Sequence, residues 1–368
     1  MAGRFPSSRG LRVGADTIEE SSIHANSGLP GAPASSPGLG RVWDDARVIE
    51  ATRFGRQLPD GGCIGVPAPA SPWESRSDLL RGVEWWQARG YRVKLADGIE
   101  ARDSYVAGDP KSRARDLEAM FTDPEVDVVQ CLTGGFGSMQ LVPHLDFELI
   151  AEHPKAFLGY SDITALHVAL RQLAGLATFY GPHLMTMGWT EASDFTRDRL
   201  LATLRGDGTG QVPADPDDPF LRPIRGGQAT GPLAGGDLWL LLQTMGTPWE
   251  LELEGAILFF EEVDAPPWYV DGMLTQLEQA GKLAGVAGVA VGDMARCDWS
   301  EQRPEWPRTK SLEQVLEEHL EPLGVPVLYQ LPIGHARHLA TLPLGVTATL
   351  DADARTLTVD QPALRPPG

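Results

Sequence analysis

Two stretches constrain this chain more than any others: an apolar run followed at once by a glycine loop, and an apolar run followed at once by a helix. Val126 to Leu132 (VDVVQCL) leads into Thr133-Gly134-Gly135-Phe136-Gly137-Ser138. Ala156 to Tyr160 (AFLGY) leads into Ser161 and a segment with Ile163, Leu166, Leu170 and Leu173 on one helical face, closed by Gly175. Short, mostly apolar strands alternating with amphipathic helices predict a parallel sheet covered on both faces. The rhythm begins at Cys63, where CIGVPAPASP reads as a strand and loop. A helix with Leu79, Val83 and Trp86 follows, then a strand over residues 91–95 and a helix over 111–122.

Residues 206–230 are rich in Asp, Pro and Gly and read as a linker. Beyond it, helices near 236–246, 267–281 and 311–320 alternate with strands at 256–261 and 285–292. Residues 346–350 and 356–359 show strand-type alternation. The expected organisation is an N-terminal extension (1–55), rich in Ser, Gly, Pro and Ala and poorly ordered. An α/β domain (56–205), the linker (206–230) and a smaller mixed α/β domain (231–362) follow. Trp43 and Ile49 are the extension's candidates for docking on the body.

Fifty acidic residues against 31 basic ones give a formal charge of −19 over 368 residues. Nucleic acid and anionic membranes require clustered Lys/Arg, and no basic run occurs, so neither is an expected partner. No apolar stretch reaches the ~20 residues that span a bilayer, and the first residues lack the apolar core of a secretory signal. Cys63, Cys131 and Cys297 are scattered and odd in number, which suits a reducing compartment. The chain is expected in the cytoplasm.

A serine hydroxyl needs a base, an acid behind that base and amide donors for the oxyanion. Ser161 sits where strand turns into helix, which would lift its hydroxyl to the carboxyl edge of the sheet. The Asp162 N–H is a natural oxyanion donor. The usual elbow is G-x-S-x-G, and here Ile163 replaces the last glycine; a helix-capping serine fits these residues equally well. Gly134-Gly135 is a candidate second donor or a plain turn. Glu261 ends the apolar strand Ala256–Phe260 and is either an acid seeking a partner or a strand-end surface carboxylate. Glu262 alternates to the opposite face and is expected to be solvated. His335 and His338 share the loop PIGHARH, whose H-x-x-H lacks a nearby third ligand, so no metal is expected. Of the other histidines, His167 lies in the helix after Ser161, and His24, His144, His153, His183 and His319 have no distinguishing context.

In the order Ser, Glu, His, these segments resemble the serine LD-carboxypeptidases, which include muropeptide LD-carboxypeptidases and microcin C self-immunity peptidases. The resemblance rests on GCIGVPAPASP, LTGGFGSMQ, LGYSDITAL, TFYGP, ILFFEEVDAPPWYVDGMLTQL and LPIGHARHLATLPLGV, spread from about Pro59 to Thr358. It implies a flavodoxin-like first domain carrying a nucleophile at Ser161. It implies a second domain carrying an acid at Glu261 and a base at His335, with oxyanion amides at Gly135 and Asp162. It further implies a metal-free, cofactor-free hydrolase, a homodimer, and a peptide or muropeptide substrate cut at an LD bond in cell-wall recycling. The alternatives are amide cleavage of a peptidyl-nucleotide antibiotic and a non-catalytic binder. Tyr180 in TFYGP looks more like the immunity branch, and Trp189, Trp299 or Trp306 could stack a base. Arg337 is the candidate for the substrate carboxylate.

Overall fold

The structure is a computed structural model, and it describes residues 52–218, 220–298 and 310–366. Trp43, Ile49, Trp299 and Trp306 lie outside the described residues, as does the expected extension up to residue 51.

The first sheet contains β2 (Cys63–Val66), β3 (Arg92–Leu95), β4 (Val128–Gln130), β5 (Ala156–Gly159) and β6 (Thr178–Tyr180), all parallel, in the order β3-β2-β4-β5-β6. This is the flavodoxin-like order, with a switch point between β2 and β4. Apart from the edge strand β3, whose Arg92 and Lys94 are exposed, the strands are short and mostly apolar because both faces are covered; Ile64, Val66, Val128, Val129, Phe157 and Leu158 have no exposed surface. The covering helices start on side-chain caps. Ser75 accepts the Asp78 N–H before α1 (Arg76–Gln87), and Asp109 accepts two N–H groups before α2 (Pro110–Thr122). After α3 (Phe147–Glu152), the helix α4 (Thr164–Ala174) ends on Gly175 at φ +62°, and α5 (Leu184–Gly188) and α6 (Asp194–Ala202) follow β6.

The second sheet is built around the parallel strands β9 (Gln228–Asp237), β10 (Ile257–Val263), β11 (Gly288–Ala295) and β12 (Val327–Tyr329). Antiparallel strands extend it at both edges: β14 (Thr347–Asp351), β15 (Thr356–Val359) and β7 (Gly210–Gln211) on one, β8 (Arg222–Arg225) on the other. Helices α7 (Leu238–Thr244), α8 (Pro267–Gln279) and α9 (Leu312–Leu320) alternate with these strands. Both sheets belong to one compact unit.

Two features differ from the sequence reading. The expected linker supplies β7 and β8, and β9 begins within it. Strand β13 (Leu342–Leu344) falls within residues 231–362 yet pairs antiparallel with β6, joining the first sheet. The chain thus crosses back between sheets just after the His335 loop. A short pair, β1 (Gly55–Arg56) with β16 (Leu364–Arg365), joins the two ends of the described chain.

Candidate active site

Ser161 follows β5 after one residue, Tyr160. Tyr160 is extended (φ −150°, ψ −175°), Ser161 itself has φ +59°, and one turn of 3-10 helix (Ser161–Ile163) runs into α4. A non-glycine residue at positive φ is strained and persists only where its surroundings hold it. Here Ile163, fully buried, occupies the space over Gly159, so a bulky residue takes the place of the elbow's last glycine. The Ser161 N–H donates to Tyr180 Oη at 3.0 Å. The Ser161 hydroxyl has no hydrogen-bond partner among the described residues, and the residue is half-buried.

The loop after β4 lies against the elbow. A Cβ on Gly134 would stand 3.1 Å from Ser161 Cβ. Gly135 has φ +95°, and a side chain there would strike Ser71 Oγ. Asp162 staples this loop to the elbow: its carboxylate accepts the Ser138 N–H at 2.8 Å, and its carbonyl accepts Ser138 Oγ–H at 2.5 Å. Burial pushes the Asp162 carboxyl up, opposed by the Ser138 bonds and the Arg113 charge. Arg113, 2% exposed, ties three loops together through the carbonyls of Pro69, Gly108 and Gly137. The Gly135 and Asp162 N–H groups, the expected oxyanion donors, have no partner among the described residues.

The second sheet carries the expected acid and base, Glu261 and His335. Glu261, with no exposed surface, lies near the carboxyl end of β10, beside Asp237 of β9 in register. His335 follows Gly334 (φ +119°) in the loop after β12, and its Nδ1 lies 2.7 Å from Glu261 Oε2. The other Glu261 oxygen accepts the Tyr180 hydroxyl at 2.5 Å. The His335 ring stands 5.1 Å from the ring of Tyr160, the residue before the serine. Burial alone would lower the imidazole pKa, but attraction and hydrogen bonding to Glu261 outweigh it and raise it.

Glu262 corrects the sequence reading. Alternation does send it to the opposite face, but β10 is a central strand with helices packed over its sheet, so that face is buried too. Glu262 is 4% exposed and accepts the N–H groups of Trp239 and Val263 at 3.0 and 2.8 Å. Burial raises its carboxyl to about 7, with the neighbouring Glu261 charge adding to the shift. Asp237 is pushed up for the same reasons and caps α7 through the Leu240 N–H. Sequence reasoning missed Asp237, Tyr180 and His183 as parts of this site. His183 stacks on Tyr160 at 4.2 Å, and burial lowers it to about 3. The only hint was TFYGPH, a polar pair closing an apolar strand.

Among the described residues, two groups place potential metal-ligand atoms within 4.8 Å of one another: Asp237/Glu261/His335 and Asp215/Asp217/His338. In the first, both Glu261 oxygens and His335 Nδ1 are already engaged. In the second, His338 bonds Ser193 Oγ and Asp217 Oδ2, both at 2.9 Å. Neither presents an unengaged donor set. Arg337 pairs with Asp217 at 3.1 Å and lies at the exposed rim.

The LD-carboxypeptidase N-terminal domain model matches residues 64–181, and the LD-carboxypeptidase C-terminal domain model matches residues 230–350. The chain is 37% identical over 309 residues to a Bacillus subtilis protein named "Probable murein peptide carboxypeptidase", covering 83% of this chain and 93% of that one. It is 27% identical over 333 residues to the Escherichia coli microcin C7 self-immunity protein MccF, covering 83% and 94%. The crystal structure of muramoyltetrapeptide carboxypeptidase from Oxalobacter formigenes superposes with a TM-score of 0.71 at 29% identity, covering 81% of this chain and 99% of that one. With both domain models matched in order around the serine elbow and the Glu–His pair, this chain belongs to the LD-carboxypeptidase family of serine peptidases.

Proposed function

We propose that the chain is a cytoplasmic, homodimeric serine LD-carboxypeptidase that trims murein-derived peptides. Ser161 is the nucleophile, His335 the base and Glu261 its orienting acid. The observation that carries this is the 2.7 Å His335–Glu261 bond, set beside a serine held at φ +59°. Nδ1–H is spent on Glu261, so Nε2 is the nitrogen left to take the Ser161 proton. The serine oxygen attacks the carbonyl of the L-residue, and the oxyanion is received by the Gly135 and Asp162 N–H groups. His335 then passes the proton to the leaving amine of the D-residue. A water deprotonated by His335 hydrolyses the acyl-serine, returning the hydroxyl. The absence of a Ser161–His335 hydrogen bond is in keeping with catalytic contacts that tighten only around substrate.

The murein reading is favoured by the 37% identity to the Bacillus protein of that name. One observation favours a peptidyl-nucleotide instead. Trp189, 40% exposed, precedes a hollow lined by Thr190, Ser193, Phe195, Arg197, Arg337 and His338, beside the catalytic loop. Purified protein should release D-alanine from an L,D-linked murein tetrapeptide, and Ser161→Ala should abolish release while leaving the melting temperature unchanged. Hydrolysis of a peptidyl-adenylate analogue with no release from the tetrapeptide would transfer the assignment to the second reading. Full turnover by the alanine variant would remove the nucleophile. EDTA should leave the rate unchanged, and sedimentation should give a dimer.

A further inference from the structure

Tyr180 is buried without exposed surface at the end of β6, between the two halves of the site. Its hydroxyl lies 3.0 Å from the Ser161 nitrogen and 2.5 Å from Glu261 Oε1. A phenol has one proton to give. Burial and the nearby Glu261 and Asp237 charges push its pKa well above the ordinary range, so that proton is retained. The direction of both bonds is then fixed: the backbone N–H of Ser161 donates to the phenol oxygen, and the phenol donates to Glu261. The ring packs edge-on against Phe259 of β10 at 4.9 Å.

This bridge has two consequences. The strained elbow has its serine N–H held by a side chain, with the free Asp162 N–H next in the chain. The acid has Oε1 occupied, so Oε2 alone faces His335 and the carboxylate cannot rotate freely. One hydroxyl therefore ties the nucleophile of the first sheet to the acid of the second. We propose that Tyr180 is a positioning residue that holds Ser161 and the Glu261–His335 pair in register across the two sheets, an inference that rests on the triad reading above.

Removing the hydroxyl leaves Glu261 with one donor fewer, so more of its charge is available to stabilise the imidazolium. The acid limb of the pH profile should then move upward, because His335 must lose its proton to act as base. The titratable groups that also face this pair are Asp237 on β9, Glu262 on β10 and Asp264 just past it, Asp293 on β11, Cys297 after β11, Tyr160 before the elbow, and His183 beyond β6. All stay in place in Tyr180→Phe, so a displaced limb reports the lost hydroxyl.

The test compares Tyr180→Phe, Glu261→Gln and the double variant in the full chain on the tetrapeptide, with Ser161→Ala alongside. Tyr180→Phe should lower kcat by about 10- to 100-fold with KM nearly unchanged, since a hydrogen bond to a charged group is lost from positioning and not from substrate binding. The acid limb should rise, and the double variant should fall little below Glu261→Gln alone. Wild-type kcat and an unmoved limb overturn the proposal, as do losses that multiply in the double variant. Should Tyr180→Phe fail to fold, 2,3-difluorotyrosine installed at position 180 keeps the size and hydroxyl but strengthens the donor. It should move the limb downward, and an unmoved limb is again negative. Turnover by Ser161→Ala would overturn the triad reading itself, which separates that failure from a failure of Tyr180 alone.

Discussion

Glu261 and Glu262 are consecutive residues, both buried, yet they face different partners. Glu261 meets His335 and Tyr180, while Glu262 meets the Trp239 N–H at the start of α7 and the Val263 N–H of its own strand. Glu261→Gln should lower turnover by roughly 10³- to 10⁴-fold, by analogy with amide replacement of the acid in other Ser-His-acid sites. Glu262→Gln should keep turnover within several-fold and instead change the stability curve. With Glu262 raised from 4.5 to about 7, the folded chain keeps a proton that the unfolded chain has released between those values. That contribution is fully present below 4.5 and is lost as pH rises through about 7. The two N–H groups use different Glu262 oxygens, so glutamine keeps an acceptor for one of them, at a cost that does not vary with pH, and never ionises. Its melting temperature relative to wild type should therefore rise by several degrees between about pH 5 and about pH 8. A difference that stays constant across that range would show that Glu262 does not titrate as placed. At this scale Ser161, Glu261 and His335, the proposed triad, were singled out from chemistry and motif, and the fold sets Glu261 against His335. The burial of Glu262 was not, because alternation gives the face of a strand and says nothing of what covers that face. Tyr180 and Asp237 were illegible for a related reason: each acts through a residue about 25 to 80 positions away in the chain, and no local pattern encodes that pairing.

The sheets meet where the end of β9 packs on the start of α4. Gly236 has φ +156°, and a Cβ there would lie 2.4 Å from Thr164 Cγ2 and 2.6 Å from its Oγ1. The next residue, Asp237, donates its N–H to the same Oγ1 at 3.0 Å. Thr164 opens the helix that follows the serine elbow, so a side chain at 236 would push Ser161 away from the second sheet. Gly236→Ala should cost about 2 kcal/mol or more and reduce kcat as well, through overpacking and an unfavourable φ. Adding Thr164→Ala removes both colliding atoms, so thermal unfolding should recover part of the loss despite the missing hydrogen bond. A double variant no more stable than Gly236→Ala would locate the strain elsewhere. The same contact shows why β9 was missed in sequence. Its residues, QATGPLAGGD, are small or helix-neutral because the strand is crowded by backbone and by α4, and they lack the β-branched signal of β5 or β10. Strands with large apolar side chains were readable, whereas β8, with Arg at both ends and Pro inside, looked like linker. The return of β13 to the first sheet is a long-range pairing that periodicity does not carry.

On the scale of the whole molecule, the described chain is closed by its own ends. Arg53 N–H donates to Gly175 O at 2.6 Å, and Ala177 N–H donates back to Arg53 O at 2.9 Å, at the end of α4. Gly55 pairs with Leu364 and Arg56 with Arg365, and Gln57 N–H donates to Arg365 O at 2.9 Å. Leu58, 3% exposed, then enters the core of the first sheet. The chain from Arg53 onward therefore contributes backbone pairing to the catalytic unit, while the matched family region begins at residue 64. Two truncations separate these layers. Removing residues 1–50 keeps every one of these bonds, and it should leave kcat/KM within about 2-fold and the melting temperature within about 2 °C, since truncation tolerance follows the burial and bonding of the backbone removed. Removing residues 1–58 deletes β1, frees β16 and unpairs Gly175 O behind the helix that carries the elbow. Its melting temperature should fall by at least several degrees, with activity falling as α4 loosens. Circular dichroism melts and turnover of the two truncated chains decide the matter. A large loss already in the first truncation would mean that residues before Arg53 support the catalytic unit, and equal stability of both would mean that the β1–β16 pair holds nothing.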